Sequence, residues 1–378
     1  MNKKLMIIAG EASGDIHGAG LIRELKNLDP SIEISGIGGD NMIAAGMDAQ
    51  YNIKQMAFLG FIEVLQHLPF ITKVKRELIK KIENEKINTI VLIDYPGFNL
   101  NIAGRLKTLH KRLIYYIAPQ IWAWGTGRIK KIRRLIDKMI VVFKFEEKLY
   151  KSAGVDVEFV GHPLVEHISS YIFLDRDELF RKFNLDKKKE ILLILPGSRK
   201  HEIKKIFPPS IDGATKLASE FNMQIVVACA GNIDEAIFNR LTDKRNFTVI
   251  KGSTYDLFNN ARFGIIKSGT STLEAGYFQL PFVVVYSTNF LTYWLGKKVV
   301  KINNIAMANI LLGEAVIEEL IQKDVNSENI YRKSSSILGN DFCYTSIKTK
   351  LGRLKEILGG PGASRKAAES IYALLNET

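Results

Sequence analysis

The stretch AGEASGDIHGAG, residues 9–20, sets Glu11, Ser13, Asp15 and His17 among small residues. These side chains accept hydrogen bonds or exchange protons. They follow a strand-like apolar run, LMIIA, and lead into a stretch of helical period, GAGLIRELKNL. A second candidate is Asp94, which closes the apolar run of TIVLIDYPGFNLN (89–101). A carboxylate at the end of a buried strand can act as a general base, or it can cap the following helix, a role Asn99 would fill as well. His17 is an alternative base.

Two further loops suit an anion. ILLILPGSRKHEI sets Gly197, Ser198 and Arg199 between a strand and a helix. Glycine permits close backbone approach, helix-start N–H groups favour negative charge, and the forked guanidinium matches a phosphate. FGIIKSGTSTLEAG repeats the device with Ser268, Gly269, Thr270, Ser271 and Thr272, followed by Glu274. Each loop alone is equally a turn or a helix cap. Together they favour a nucleoside diphosphate, with Glu274 accepting hydrogen bonds from ribose hydroxyls.

The elements that must hold these loops follow from periodicity. Buried strands are expected at 5–9, 31–39, 89–94, 112–117 and 138–143, then at 191–195, 224–230, 247–250, 263–267 and 281–286, with helical stretches such as 71–86 between them. That alternation predicts an α/β chain of two doubly wound parallel sheets, with ligand loops at the carboxyl ends of strands. The expected domains are 1–168 and 169–345, joined near 165–175. The tail from about Tyr344 onward is expected to be helical, with GGPGA (359–363) marking a break before a last helix.

Composition narrows the class. The chain has 378 residues, two cysteines and a formal net charge of +13. Cys229 and Cys343 are too few for a disulfide framework or zinc site, so a reducing cytoplasm is expected. The apolar stretch near the start is too short for a signal peptide, and no run approaches the roughly 20 residues of a membrane span. No His or Cys spacing suggests a metal, and GIGGDNMIAAG lacks the dinucleotide fingerprint, so no cofactor is expected. The positive charge is concentrated: residues 105–138 hold ten Lys or Arg and one acid, Asp137. Such a stretch fits anionic lipid, nucleic acid or phosphorylated substrates, or is simply a solvated face. Around it, the two tryptophans of YYIAPQIWAW precede the basic helix rather than lining it, which favours a packed loop and no nucleic-acid partner. QMAFLGFIEVLQHLPFITKVKREL (55–78) reads mainly as core. Phe58, Phe61 and Leu65, with Lys73, Lys75 and Arg76, also fit a membrane interface.

AGEASGDIHGAGLIRELK, GFIEVLQHL, IDYPGFN, YYIAPQIWAW, FVGHPL, LLPGSR, SGTSTLE and YWLGKKVVK…NILLGEAVIEELIQ occur in this order along nearly the whole chain. Together they closely resemble the lipid-A-disaccharide synthases. The resemblance implies an inverting glycosyltransferase of the two-Rossmann-domain GT-B type. It would join UDP-2,3-diacylglucosamine to 2,3-diacylglucosamine 1-phosphate (lipid X), forming the β-1,6-linked disaccharide and UDP. It implies a peripheral enzyme on the cytoplasmic face of a Gram-negative inner membrane, in contact with anionic lipid and commonly a homodimer, with the helices over 346–378 packed back on the first domain or exchanged in the dimer. Residue by residue, Asp94 would be the general base, Arg199 a nucleotide-site cation, Glu274 a ribose ligand and Asn309 a donor-binding residue near the cleft. The 9–20 loop, with Gly10, Glu11, Ser13 and Gly14, would hold the acceptor, while Asp15 and His17 support Asp94.

The chain departs from the family pattern at four places. Gly97 stands where a second acid is usual, Ala308 where proline is, Glu314 where arginine is, and Gly125 and Thr126 in a stretch that often carries arginine. Two other readings compete: a GT-B transferase using UDP-N-acetylglucosamine and an undecaprenyl-type acceptor, and a non-catalytic RNA-binding protein.

Overall fold

The computed structural model describes residues 3–56, 67–119, 127–244, 246–288 and 304–377. Phe58, Phe61, Leu65, Gly125, Thr126 and both tryptophans of YYIAPQIWAW lie outside the described residues. The chain forms two compact units, one of residues 1–169 with 358–378, the other of residues 170–357. Their boundaries fall beside the expected junction at 168/169 and twelve residues or so beyond the expected 345/346, so the stretch 346–357 belongs with the second unit.

The first unit holds a seven-stranded sheet. Its strands are β1 Lys4–Ala9, β2 Glu33–Gly38, β3 Asp48–Asn52, β4 Thr89–Ile93, β5 Arg112–Tyr116, β6 Lys138–Val141 and β7 Val157–Phe159. Their order is β3-β2-β1-β4-β5-β6-β7, with parallel pairing throughout. The apolar runs of β1 and β4 are buried on both faces, as a sheet covered by helices requires. β3 and β7 are edge strands of weaker apolar character, which is why periodicity alone passes over them.

The helix Leu68–Asn84 shows how sequence pattern becomes packing. Ile71, Val74, Leu78 and Ile82 recur on one face and enter the core with Met6, Leu92 and Leu113. Each such side chain contributes roughly 1.5–3 kcal/mol as an upper estimate. Proline near its first position is tolerated because the lost N–H has no helical partner there. At the other end of the chain, Ala363–Asn376 packs on Ala12–Leu28. Ser364 donates to Glu166 through both its backbone N (2.6 Å) and its hydroxyl (2.7 Å), and Lys3 donates to the Tyr372 hydroxyl at 2.9 Å.

The second unit holds a six-stranded sheet. Its strands are β8 Glu190–Leu195, β9 Met223–Cys229, β10 Phe247–Lys251, β11 Ala261–Lys267, β12 Phe282–Tyr286 and β13 Glu319–Ile321. The order is β10-β9-β8-β11-β12-β13, again all parallel. The short β13 is the one strand here that the apolar-run pattern does not announce. Among the described residues, no helix is long and apolar enough to cross a membrane.

Candidate active site

Strand order fixes where ligands can sit. In the first sheet the chain winds outward from β1 through β2 to β3, then returns to β4 on the other side of β1. The second sheet repeats this with β8 and β11. At such a switch point the two following connections diverge and leave a crevice at the carboxyl ends of the strands. The four connections that leave these strands carry Glu11, Asp94, Arg199 and Ser268.

In the first unit the register pairs Ala9 with Ile93, so Gly10 and Asp94 leave the sheet side by side. Asp94 and Tyr95 both adopt positive φ, +43° and +48°. Two consecutive non-glycine residues there are strained, and the surroundings hold them. The Asp94 carbonyl accepts from Asn99 Nδ2 at 2.7 Å and from the Tyr115 hydroxyl at 2.5 Å. Asn99 Nδ2 also donates to the Ile93 carbonyl at 3.1 Å, clamping the strand end. The turn lays the Tyr95 ring over Gly10: a Cβ there would lie 2.2 Å from Cδ1. Glycine is obligatory at that contact.

These constraints present the Asp94 carboxyl half-buried, with no role as a helix cap. Burial, then the nearby Glu11 carboxylate, raise its pKa to about 6. A base poised there is mostly ionised at neutral pH yet able to hold a proton.

The polar stretch at 9–20 is organised differently from the expected loop. The helix Ala12–Leu28 starts well before Gly18, so Ser13, Gly14, Asp15 and His17 lie in its first turns. Ser13 is exposed and its hydroxyl has no protein partner among the described residues. Asp15 is a correction. It is buried, and its carboxylate accepts from the backbone N of Gly39 (2.7 Å), Asn41 (3.2 Å) and Met42 (3.0 Å) and from Asn41 Nδ2 (2.8 Å). Those donors open the helix Asp40–Ala44. Asp15 braces that helix start and is not placed to take a substrate proton.

His17 joins His162 and His167, with ring centroids 6.3 and 6.2 Å away. Burial, then His167, lower its pKa to about 4, and burial lowers that of His162 to about 3. A histidine so weakly basic is a poor match for abstracting a hydroxyl proton at neutral pH, which favours Asp94 over His17. Gly97 is exposed and a Cβ there meets nothing within 4 Å, so the missing second acid reflects no steric bar.

In the second unit the PGSR loop ends at Arg199, directly before the helix Lys200–Glu220. Gly197 has φ +115°. The SGTST loop opens the helix Thr270–Tyr277, with Gly269 at φ +154°. Both loops therefore need glycine for their backbone shape. Thr270 and Ser271 have hydroxyls free of protein partners among the described residues. Ser268 Oγ donates to the Ile305 carbonyl at 3.2 Å, and Thr272 Oγ1 to the Gly269 carbonyl at 2.8 Å. Ser268 and Thr272 thus shape the loop rather than present donors. Ser198 is exposed at the loop tip.

Glu274 faces Tyr255, whose hydroxyl lies 3.4 Å from Oε1. Burial raises the Glu274 carboxyl to about 7. Asn309 is the second correction. It is fully buried and bound at both ends: Nδ2 donates to the Ile317 carbonyl (2.8 Å) and Glu319 Oε1 (2.9 Å), while Oδ1 accepts from Ile317 N (2.9 Å). It closes the turn before β13, and both of its amide protons are used within the unit, leaving none to donate to a nucleotide. Glu314 pairs with Lys350 (2.6 Å) and Arg353 (2.9 Å), so the acid at that position is neutralised locally.

Two residues escaped the sequence reading. Glu202 lies one turn into the helix after PGSR, and Lys267 immediately precedes SGTST. Lys267 Nζ sits 3.0 Å from Glu202 Oε1, tying one loop to the other. The i,i+3 spacing of Arg199 and Glu202 was the available signal; the link to Lys267 is tertiary.

Of the candidate membrane residues, Lys73 and Arg76 are exposed, and Lys75 donates to Asn101 Oδ1 at 2.6 Å. The helix Arg128–Leu135 buries Ile132 and Leu135 and exposes Arg128, Lys130, Lys131, Arg133 and Arg134. None of these five has an ion-pair partner among the described residues.

The fold is shared with solved structures over the full chain. CalG4, the calicheamicin glycosyltransferase, matches with a TM-score of 0.64 at 14% identity, covering 100% of this chain and 99% of its own. The UDP-GlcNAc 2-epimerase from Neisseria meningitidis bound to UDP-GlcNAc matches with a TM-score of 0.66 at 12% identity, covering 98% and 100%. Two Rossmann-like sheets, each with its candidate loops at the switch point, give the GT-B fold of a glycosyltransferase. Residues 5–369 match the model of one family, described as lipid-A-disaccharide synthetase. The lipid-A-disaccharide synthase of Geobacter metallireducens is 36% identical over 379 residues, covering 100% of this chain and 98% of the relative. That of Nitrosococcus oceani is 38% identical over 372 residues, covering 98% and 95%. The chain belongs to the lipid-A-disaccharide synthase family and is a glycosyltransferase of lipid A disaccharide formation.

Proposed function

We propose that the enzyme transfers 2,3-diacylglucosamine from UDP-2,3-diacylglucosamine to the 6-hydroxyl of 2,3-diacylglucosamine 1-phosphate, with inversion, giving the β-1,6 disaccharide 1-phosphate and UDP. The observation that carries this reading is the division of chemistry between the two switch points. One presents a carboxyl poised near pH 6; the other presents two glycine loops, the hydroxyls of Thr270 and Ser271, and a guanidinium.

In the reaction, Asp94 takes the proton of the acceptor hydroxyl as its oxygen attacks the anomeric carbon. The bond to the diphosphate breaks on the opposite face, and UDP leaves with the electron pair. Arg199 and the free N–H groups at the starts of Lys200–Glu220 and Thr270–Tyr277 stabilise the departing charge. Glu274 accepts from the ribose hydroxyls. Gly10, beside Asp94, and Ser13, in the first turn of the helix that follows, receive the acceptor sugar. The solved epimerase bound to UDP-GlcNAc supports a UDP-sugar in a fold of this kind.

Because both substrates carry acyl chains, the enzyme works as a peripheral protein on the cytoplasmic face of the inner membrane. The five exposed cations of Arg128–Leu135, with Lys73 and Arg76, meet the anionic lipid there. Association into a homodimer belongs to the same reading. The test is mass spectrometry of products from UDP-2,3-diacylglucosamine with and without lipid X, beside UDP-N-acetylglucosamine with an undecaprenyl-type acceptor. A disaccharide formed only from the acylated pair is expected; turnover of the N-acetyl donor overturns the assignment.

A further inference from the structure

Glu202 is a buried carboxylate on which two cations converge. Its Oε1 lies 3.0 Å from Lys267 Nζ and 3.2 Å from Arg199 Nη1. Its Oε2 is buried without a hydrogen-bond partner and would lie 2.8 Å from a Cβ built on Gly197. The Lys267 ammonium lies 3.8 Å from the position a Cβ would take on Gly269. The cluster therefore sits between the two positive-φ glycines of the loops that flank β8 and β11. It carries two positive charges against one negative, and among the described residues Glu202 is the single charged partner of Lys267.

A buried excess cation needs an anion. Burying an ammonium is costly unless it is paired, so a mostly buried lysine that shares the Glu202 carboxylate with an arginine is incompletely matched among the described residues. Arg199 is the exposed member and Lys267 the enclosed one, with side chains 47% and 18% exposed. The guanidinium is thus free to turn outward while Glu202 keeps the ammonium at the loop mouth. Lys267 has three donor protons, of which the Glu202 contact uses one.

We propose that Lys267 is a second cation for the donor's diphosphate, held ready between the two loops by Glu202. This rests on the reading of the second unit as the UDP site. With the ligand bound, Arg199 and Lys267 approach the diphosphate from the two loops, and Glu202 keeps the ammonium from folding away. The residue before a glycine–hydroxyl loop then joins the loop's own N–H groups in neutralising the leaving group.

The experiment measures UDP and uridine affinity by calorimetry on the full chain, for wild type, Lys267→Met and Lys267→Arg. Lys267→Met is expected to weaken UDP about 10- to 100-fold, as loss of a charged hydrogen bond does, and to leave uridine within about twofold. Lys267→Arg should recover most of the loss. Amine acylation of the wild-type chain, read by mass spectrometry, serves if Lys267→Met does not fold: UDP, not uridine, should protect Lys267. UDP affinity within about twofold of wild type in Lys267→Met, or no protection by UDP, overturns the assignment while leaving the UDP site in place. Failure of the wild-type chain to bind UDP overturns both.

Discussion

Asp94 directly follows β4 and Glu11 stands two residues beyond the end of the neighbouring β1, and the charge of Glu11 adds to burial in raising the Asp94 carboxyl to about 6. Glu11 is exposed, whereas Asp94 is half-buried.

Removing that charge makes the relationship measurable. With wild type, kcat/KM for the acceptor at saturating donor should fall as pH drops through about 6, where Asp94 becomes protonated. Glu11→Gln withdraws a like charge, so the pKa falls and the acid limb moves to lower pH. It should not reach the ordinary carboxylate range, because burial remains. An unmoved limb would mean that Glu11 does not act on the base.

Asp15 gives a stability prediction. Asp15→Ala leaves the buried N–H groups of Gly39 and Met42 without their acceptor, at about 1–3 kcal/mol for each unsatisfied group. Urea unfolding should show a loss of this size, with the pH dependence of kcat/KM unchanged in the folded fraction. A kinetic defect with unaltered stability would restore Asp15 to the chemistry.

The contrast between Asp15 and Asp94 shows what the sequence can carry. In sequence both are acids within a few residues of the end of a buried strand, with a glycine nearby. The central strands, the glycine loops and the two doubly wound sheets are legible because they depend on local period and on residues that tolerate unusual φ, whereas the edge strands β3, β7 and β13 carry too little apolar character. The roles of Asp15 and Glu202 are set by partners far along the chain, at Gly39 and Lys267, and that of Asn309 by the way the turn to Ile317 closes. No local pattern announces those contacts. The Asp94 pKa likewise depends on enclosure, which exists only once β1 and β4 pair.

Glu274 provides a test of the ribose contact. Its carboxyl titrates near 7, so it accepts hydrogen bonds fully only above that pH. Affinity for a UDP-sugar, whose diphosphate does not ionise in this range, should tighten as pH rises from about 6 to 8. Glu274→Gln should flatten the profile. A wild-type profile that is already flat would place the ribose elsewhere.

The exposed helix Arg128–Leu135 should govern membrane binding. Replacing Arg128, Lys130, Lys131, Arg133 and Arg134 with serine removes about 1 kcal/mol per residue near an anionic surface. Co-sedimentation with vesicles containing phosphatidylglycerol should fall sharply at low salt, while activity on detergent-dispersed substrates persists. Undiminished sedimentation would move the docking surface to another face.

The division of labour between the two switch points is tested most directly with Asp94→Asn, by measuring UDP affinity and turnover on the same preparation. The substitution keeps the shape of the side chain, and the Asp94 carbonyl retains its bonds from Asn99 and Tyr115. UDP should bind within about twofold of wild type while turnover falls about 10²–10⁴-fold, the usual cost of losing a general base. Turnover at the wild-type rate, or UDP binding lost in proportion to activity, would contradict the account.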